Sequence, residues 1–311
     1  MNKLVSVHPV NDLHGAEIDL VQAFLSGRNP RTLAAYKRDL QDFQAFTGAP
    51  SVEAGVTLLI SRGPGRANAL ALAYRVHLQE RNLAPATINR RLAALRSVVK
   101  LGRTLGLITW TLEVEGLKTQ SYRDTRGPGL QGVRNMLEHL NASSDAKSIR
   151  DTAIIRALYG MGLRRGELIS LDLCDLDLAD ARMSIIGKGR LEKEILSIPP
   201  RTLESLKAWV AIRGDHEGAL FISLDNRNRG HRLVGSSVYR LVAKLGKAVG
   251  LITRPHGLRH SAITDALNLT NGNTRSVQRF SRHRRLETLS LYDDNRADLG
   301  GQVAILVDLG A

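Results

Sequence analysis

The sequence predicts a two-domain, mainly α-helical protein with a small antiparallel sheet in its second half. Its 311 residues exceed one typical domain of roughly 100–200 residues. Aromatic residues make up only 4% of the chain, so the core consists mainly of aliphatic side chains, which suits packed helices. Most segments repeat apolar residues at three- and four-residue spacing, as amphipathic helices do.

The domain boundaries are predicted from segments that lack this periodicity. Residues 1–14 show no apolar repeat and are predicted to form a flexible arm. Residues 15–117 are predicted to form a helical domain. Residues 118–130 form a linker, because Gly127–Gly129 and mixed charges interrupt the pattern. Residues 131–311 form the second domain and end in a C-terminal tail.

The charge balance points to a polyanionic partner. Lys and Arg number 44 against 30 Asp and Glu, and the sequence pI is near 10.4. Both halves are basic, although a basic surface that only aids solubility is the alternative. The single cysteine, Cys174, excludes an internal disulfide. The sequence has no signal-peptide pattern and no apolar run of ~18 residues. We therefore expect a cytoplasmic protein, associated with the nucleoid if the polyanion is DNA.

One helix of the first domain combines an apolar face with a cationic face. It is predicted to begin at Ala84-Pro85 and to run to about Leu101. The opposite face has four cations, which are Arg90, Arg91, Arg96 and Lys100. Such a helix is typical of one that packs on its own domain and faces phosphates. An ordinary solvated charged face is the alternative.

The second domain is predicted to combine helices with one β-hairpin. Short β-prone runs at Arg182–Ile186 and Glu194–Ile198 flank the turn sequence Gly187–Arg190. The predicted helices are Val133–Leu140, Ser148–Tyr159, Gly166–Leu171, Arg201–Arg213, Gly235–Val249, Leu258–Leu269 and Thr274–Arg282. The last part of the chain, Val303–Leu309, is short and apolar.

Groups suited to phosphoryl transfer lie in order along this second domain. They are Arg164 in the segment Gly162–Leu168, Lys188 in the hairpin, His256 and Arg259 in the segment His256–His260, then His283 and Tyr292. Each residue alone has an ordinary explanation, such as a surface cation, a turn lysine, a helix cap or a packed tyrosine. Their joint, ordered occurrence in a basic chain favours a catalytic interpretation.

These motifs resemble those of the tyrosine recombinase, or phage integrase, family. That family has an arginine in a Gly-Leu-Arg-x-x-Glu-Leu box, a hairpin lysine, His-x-x-Arg, a later histidine or tryptophan, and a tyrosine. The first half is similar to the family's helical, SAM-like DNA-clamping domain through Thr32–Tyr36 and Thr87–Arg96. The resemblance implies a site-specific DNA recombinase that cleaves and rejoins strands through a 3′-phosphotyrosyl intermediate.

The chemistry of the residues agrees with this resemblance. The Tyr292 phenol can attack a phosphate, and the phosphotyrosine formed conserves the energy needed for rejoining. A phenol has an ordinary pKa of ~10, so the attack needs nearby cations. Arg164 and Arg259 offer guanidinium groups that match the non-bridging phosphate oxygens and keep their charge.

The remaining candidates supply protons and orientation. A lysine can protonate the departing 5′ oxygen. Lys188 is preferred for its flanking glycines, and Lys193 is the alternative because the hairpin is about one residue longer than the family's usual form. His256 is expected to accept the tyrosine proton or to hydrogen-bond a phosphate oxygen. His283 is expected to donate to that phosphate, and Glu167 to orient a catalytic partner. We expect no cofactor and no metal, because the cations are built into the chain.

One segment departs from the family pattern. The family usually has Leu-Gly before the late histidine, whereas Ser281 and Arg282 precede His283 here. Glycine tolerates a positive φ and arginine does so poorly. The sequence therefore leaves the geometry of this turn open.

Further cations of the second domain are predicted to contact double-stranded DNA. Arg240 and Lys244 lie at helical spacing, and the resemblance places their helix against the major groove. Arg227 and Arg229 lie in a polar loop that could reach bases or backbone. Most such contacts fix position rather than sequence. The resemblance also implies a homotetramer on two duplexes, with the apolar tail docked either on a neighbouring subunit or on its own domain.

Two other functions stay open at this point. One is a monomeric DNA-nicking enzyme of the topoisomerase or hairpin-telomere type, which shares this chemistry. The other is a DNA-binding regulator without catalysis, against which the complete residue set argues. The short length and the apolar tail favour recombination. The sequence does not specify the target site, the accessory proteins, or a role in phage integration, transposon movement or chromosome dimer resolution.

Overall fold

The structure is a computed structural model that describes residues 20–26, 30–118, 127–187, 192–289 and 299–309. Contacts between Cα atoms divide the chain into two compact units, Met1–Ser121 and Tyr122–Ala311. The predicted arm and two predicted catalytic residues, Lys188 and Tyr292, lie outside the described residues.

The first unit consists of helices in the part of the chain that is described. They are α1 (Leu20–Leu25), α2 (Pro30–Thr47), α3 (Val52–Ile60), α4 (Gly63–Glu80) and α5 (Pro85–Thr104). Ser51 begins α3 with a capping bond, in which the Ala54 N–H donates to the Ser51 Oγ at 3.1 Å. Pro85 occupies the first turn of α5, where its missing N–H costs nothing. The core of this unit is mainly aliphatic and includes Phe43, which packs edge-on against Tyr74.

The second unit contains eight further helices among the described residues. They are α6 (Gly129–Asn141), α7 (Ala146–Gly160), α8 (Arg165–Ser170), α9 (Pro200–Arg213), α10 (Gly235–Ala248), α11 (Pro255–Leu269), α12 (Thr274–Ser281) and α13 (Leu299–Leu309). The predicted mainly helical fold is confirmed. Helix α6 begins at Gly129, within the segment predicted as a linker, and the apolar tail is the helix α13.

Helix α7 is the centre of the second unit. Five of its apolar side chains, at Ala153, Ile154, Ile155, Ala157 and Leu158, are fully buried. These side chains cover more than half of the helix circumference, as is typical of a helix surrounded by others. Helices α6, α8, α9 and α11 all pack against it. The end of α7 therefore has a fixed position, and the segment that follows it contains Arg164.

A three-stranded antiparallel sheet lies beside these helices. Its strands are β1 (Leu176–Asp177), β2 (Arg182–Ile186) and β3 (Lys193–Ser197), in the order β1-β2-β3. Met183 and Ile185 of β2 are buried, while Ile195 of β3 is exposed, as expected for a sheet with one covered face. The predicted hairpin is confirmed, with its second strand beginning one residue earlier. The two-residue strand β1 was not predicted.

Within the described residues, no helix is both long enough and apolar enough to cross a membrane.

Candidate active site

Arg164 lies in a sharp bend between α7 and α8. Gly162 has a φ of +54°, and a Cβ there would lie 3.1 Å from the Phe280 ring, so the bend requires glycine. The Arg164 N–H donates to Glu167 Oε2 at 2.8 Å, and the Arg164 Nη1 donates to Glu167 Oε1 at 2.6 Å. Glu167 thereby fixes both the backbone and the side chain of Arg164.

The carboxylate of Glu167 is ionised although it is buried. Burial raises the pKa of Glu167, but the charge of Arg282 and the bonds from Arg164 lower it more, so the net pKa is below the ordinary value. The side chain of Glu167 is 2% exposed. This position agrees with the orienting role that the resemblance implies for Glu167.

Arg259 reaches the same place from another helix. It lies in the second turn of α11, and the whole residue is 2% exposed. Its Nη1 donates to the Gly162 carbonyl and its Nη2 to the Ser281 carbonyl. The Arg259 guanidinium is thus held between the bend that precedes α8 and the end of α12.

His283 lies directly beside this guanidinium. Its Nε2 is 3.5 Å from Arg259 Nη2, and its Nδ1 is 3.0 Å from Ser281 Oγ. Arginine only donates, so these partners assign Nε2 as the acceptor and place the proton on Nδ1. Burial, together with the charges of Arg259, Arg164 and other cations, lowers the pKa of His283 to about 4. His283 is therefore neutral at pH 7.

Arg282 adopts the conformation that the sequence left open. Its φ of +58° and ψ of +37° are left-handed, so an arginine occupies the place where the family usually has glycine. The Arg282 side chain is only 4% exposed and pairs with Glu167 at 3.2 Å. Sequence reasoning did not predict this inward side chain. The departure from the family pattern was the only signal in the sequence for this residue. Such a departure does not reveal in which direction the side chain points.

The structure brings together four of the predicted residues, which are Arg164, Glu167, Arg259 and His283. Arg164 Nη2 also donates to the carbonyl of Arg282, 3.3 Å away, next to His283. His256 is exposed at the start of α11, and its charge contributes to lowering the pKa of His283. Lys188 and Tyr292 fall outside the described residues, so their placement stays a prediction.

Lys193, the alternative general acid, is bound elsewhere. Its Nζ donates to Asp175 Oδ1, and Asp175 is largely buried. The hydrogen bond and the charge of Asp175 raise the pKa of Lys193 above its ordinary value. A lysine whose proton is held by a carboxylate is a weaker acid, so this arrangement favours Lys188.

Two of the predicted DNA-contacting arginines in the first unit are paired with carboxylates of α2. Arg90 Nη1 donates to Asp39 Oδ2 at 2.9 Å, and Arg91 Nη1 donates to Asp42 Oδ2 at 2.7 Å. The side chain of Arg90 is 44% exposed and that of Arg91 is 15% exposed. Arg90 therefore keeps solvent access, whereas Arg91 is mainly part of an internal ion pair.

Most of the other predicted DNA contacts are exposed, and Arg96 is the exception. Arg96 is half-buried, with Nη1 3.5 Å from the Val114 carbonyl, and Lys100 is exposed. In the second unit, four predicted cations are exposed, namely Arg227, Arg229, Arg240 and Lys244. Arg240 and Lys244 share one side of α10, as the spacing predicts.

The cluster defines a class of protein. Hydrogen bonds join the guanidinium groups of Arg164 and Arg282 to the Glu167 carboxylate, and the guanidinium group of Arg259 lies nearby with a neutral imidazole beside it. This excess of positive charge suits a phosphate, whose oxygens match guanidinium geometry. A mainly helical, basic protein with such a centre belongs with enzymes that transfer phosphoryl groups of nucleic acids.

Comparisons with known proteins identify the family. The model of the phage integrase family matches residues 131–298, which is more than half of the chain. A tyrosine recombinase of Synechocystis sp. is 38% identical over 96% of this chain and 98% of its own length. A tyrosine recombinase of Synechococcus elongatus is 40% identical over 96% and 93%. The chain belongs to the phage integrase family and is a tyrosine recombinase, an enzyme of site-specific DNA recombination.

A solved structure shares the fold. The integrase of transposon Tn1549, determined in complex with transposon right end DNA, covers 94% of this chain with a TM-score of 0.65 and 15% identity. The alignment includes 100% of that structure's chain. The mainly helical architecture with a small antiparallel sheet is therefore that of a known integrase.

We expect the depressed pKa of His283 to make folding stability depend on pH. The unfolded chain binds a proton near pH 6.5, whereas the folded chain resists it down to about pH 4. Stability should therefore be complete above about pH 6.5 and fall as the pH drops towards 4. The measurement is urea unfolding of the wild type and of His283→Gln across this range.

The variant controls for all other groups, since glutamine does not titrate. The stability of His283→Gln should fall less steeply than that of the wild type between pH 6.5 and 4. Parallel curves would show that His283 has the same proton affinity in both states.

Proposed function

We propose that this tyrosine recombinase cleaves DNA with Tyr292 as its nucleophile and with Arg164, Arg259 and His283 around the scissile phosphate. One observation supports this proposal. Arg164, Arg259 and His283 span 119 positions of the chain, yet all three lie together at the bend before α8 and the end of α12. Each guanidinium has a fixed geometry before DNA binds, so little reorganisation opposes the reaction.

The bond changes of the proposed cleavage balance in one displacement. The Tyr292 oxygen forms a bond to phosphorus, and the bond between phosphorus and the 5′ oxygen breaks. His256 accepts the tyrosine proton, and Lys188 donates a proton to the departing 5′ oxygen. The 3′ end remains on Tyr292 as a phosphodiester. Rejoining is the reverse displacement by a 5′ hydroxyl, so no external energy source is needed.

Charge on the non-bridging oxygens is stabilised by the two arginines. Arg164 approaches from the N-cap of α8 and Arg259 from α11, so two oxygens can be held at once. His283 is neutral at pH 7 and can hydrogen-bond to the same phosphate after a tautomer change or proton uptake. The negative charge of a phosphate beside it would raise its pKa again.

We also propose eight DNA-binding residues, whose contacts would follow the backbone of the duplex. They are Arg90, Arg91, Arg96, Lys100, Arg227, Arg229, Arg240 and Lys244. The exposure of most of these side chains supports the proposal. Arg91 would have to leave Asp42 to reach a phosphate, so its main contribution is to hold α5 on α2.

The active assembly is proposed to be a homotetramer on two duplexes, in which α13 links neighbouring subunits. The proposed location is the cytoplasm, at the nucleoid. Five apolar residues of α13 are more than half exposed, namely Val303, Ile305, Leu306, Val307 and Leu309. An exposed apolar surface of this kind marks an interaction site. A second copy of the chain is the proposed partner. In this proposal α13 docks on a neighbouring subunit and not on its own domain.

Replacing the nucleophile should abolish the covalent adduct. DNA that is covalently attached to the protein in cells is recovered and sequenced to identify the target sequence. That target sequence is then built into a nicked suicide duplex. The wild type should accumulate a protein–DNA adduct, and Tyr292→Phe should form none because it lacks the attacking oxygen. The readout is the shifted band in a denaturing gel.

Tyr239→Phe is the matched control, since Tyr239 is exposed on α10 and has no assigned role. An adduct formed equally by Tyr292→Phe would remove Tyr292 as the nucleophile. With two intact sites, recombinant products indicate strand exchange, whereas relaxation of supercoils alone would support the nicking enzyme instead.

A sulfur substitution should identify the general acid. A duplex with sulfur in place of the bridging 5′ oxygen needs no proton to release its leaving group. Lys188→Met should slow cleavage of the ordinary duplex by roughly 10²–10⁴-fold, and the sulfur duplex should restore the rate. Single-turnover cleavage measures both rates. Lys193→Met should show no such selective restoration; the opposite pattern would assign the role to Lys193.

A charge within α13 should weaken assembly. Leu306→Glu places a carboxylate in the apolar contact, so the complex of four chains on DNA should be lost while the single chain stays folded. Analytical ultracentrifugation of the protein–DNA complex and circular dichroism measure the two properties. Asp308→Asn, an exposed change in the same helix, is the control. A tetramer unchanged by Leu306→Glu would place the subunit interface elsewhere.

A further inference from the structure

Arg282 occupies a position whose backbone is unfavourable for arginine. It ends α12 in the left-handed conformation, and its N–H donates to the Gln278 carbonyl at 2.8 Å. That conformation is strained for a residue with a Cβ, and glycine avoids this cost. Interactions of the Arg282 side chain must offset this cost if the turn is to be stable.

The side chain makes hydrogen bonds to three segments. Arg282 Nη1 donates to the carbonyls of Met161 at 3.2 Å and of Phe280 at 2.9 Å. Arg282 Nη2 donates to the Gly162 carbonyl at 2.9 Å and to Glu167 Oε2 at 3.2 Å. One guanidinium thus joins the end of α7, the first turn of α8 and the end of α12. A lysine, with a single nitrogen, cannot make this fork of contacts.

Two of these acceptors also accept hydrogen bonds from the two arginines proposed to bind the phosphate. The Gly162 carbonyl accepts from both Arg259 and Arg282. Glu167 accepts from both Arg164 and Arg282, on opposite oxygens of its carboxylate in the two side-chain bonds. The carbonyl of Arg282 itself accepts from Arg164. Any movement of Arg282 is therefore transmitted to both Arg164 and Arg259.

We propose that Arg282 is a positioning residue of the recombinase, holding Glu167 and the Gly162 carbonyl so that Arg164 and Arg259 stay aimed at one phosphate. The inference rests on the proposed function of those two arginines. Arg282 acts through them and does not itself contact DNA, since its side chain is 4% exposed and points into the protein. Burial of its charge beside Glu167 makes the contact specific, because a lost partner leaves a buried charge uncompensated.

Cleavage kinetics test the proposal with three single variants. Arg282→Gln removes the charge and the fork, Arg282→Lys keeps the charge alone, and Arg201→Gln removes an exposed charge at the start of α9. Single-turnover cleavage of the suicide duplex separates the DNA dissociation constant from the rate constant of the saturated complex. Circular dichroism shows which variants fold.

We expect Arg282→Gln to lower the saturated rate constant on the order of 10- to 100-fold without changing the DNA dissociation constant, because misplaced groups slow the chemical step. Arg282→Lys should restore part of the rate, and Arg201→Gln should equal the wild type. A weaker DNA affinity with an unchanged saturated rate would make Arg282 a DNA ligand and overturn the proposal. Wild-type kinetics in both Arg282 variants would overturn it as well.

A double-mutant cycle with Glu167 tests the proposed route. If Arg282 acts through Glu167, the combined variant Glu167→Gln/Arg282→Gln should lose much less than the product of the two single losses. Full multiplicativity would show that the two side chains act independently. This result would overturn the proposed route even if each single variant is slow.

A measurement without DNA separates this proposal from the function on which it rests. Nitrogen-15 spectra resolve guanidinium groups with restricted rotation, and Arg164→Lys and Arg259→Lys assign their signals. Arg282→Gln should increase rotation of both groups, while Arg201→Gln should not. Unchanged spectra would overturn the positioning role. If the wild type forms no adduct, the proposed function fails, and these spectra still decide whether Arg282 holds the two arginines. Should Arg282→Gln fail to fold, Arg282→Lys decides both measurements.

Discussion

Glu167 places one buried negative charge among three guanidinium groups, and the geometry of the candidate active site depends on this arrangement. Without a carboxylate there, Arg164 and Arg282 would repel each other in a region of low dielectric. With it, both are fixed while a net positive charge remains for a phosphate. The pKa of Glu167 is below its ordinary value despite burial, so this charge is present at neutral pH.

The rest of the second unit supports that arrangement. Most of the surface of helix α7 is buried, so its end cannot shift without disturbing the core. The left-handed Gly162 then turns the chain towards α8 and exposes its carbonyl to two arginines. Helices α11 and α12 pack together and contribute Arg259 and the Arg282–His283 segment. Residues distant in sequence are therefore brought to one point by rigid elements rather than by loops alone.

Much of this organisation could be predicted from the sequence, because it depends on local patterns. Apolar periodicity predicts the helices, and the hairpin follows from two β-prone runs around a glycine-containing turn. The motifs around Arg164 and Arg259 were enough to predict that these residues lie together, because residue type and order indicate shared chemistry; their catalytic roles stay predictions. The inward direction of Arg282 and the pairing of Lys193 with Asp175 could not be predicted. Both depend on contacts between elements that are far apart in the chain, and local periodicity carries no information about such contacts.

The ion pairs between α5 and α2 have a consequence for the ionic-strength dependence of DNA binding. Each cation that newly neutralises a phosphate steepens the decline of affinity with salt, through release of a condensed counterion. Arg91 already neutralises Asp42, and Arg90 neutralises Asp39. If either arginine left its carboxylate to bind a phosphate, the unpaired carboxylate would partly cancel the positive charge that the arginine brings to the duplex. The electrostatic footprint of this helix is therefore smaller than its number of arginines suggests.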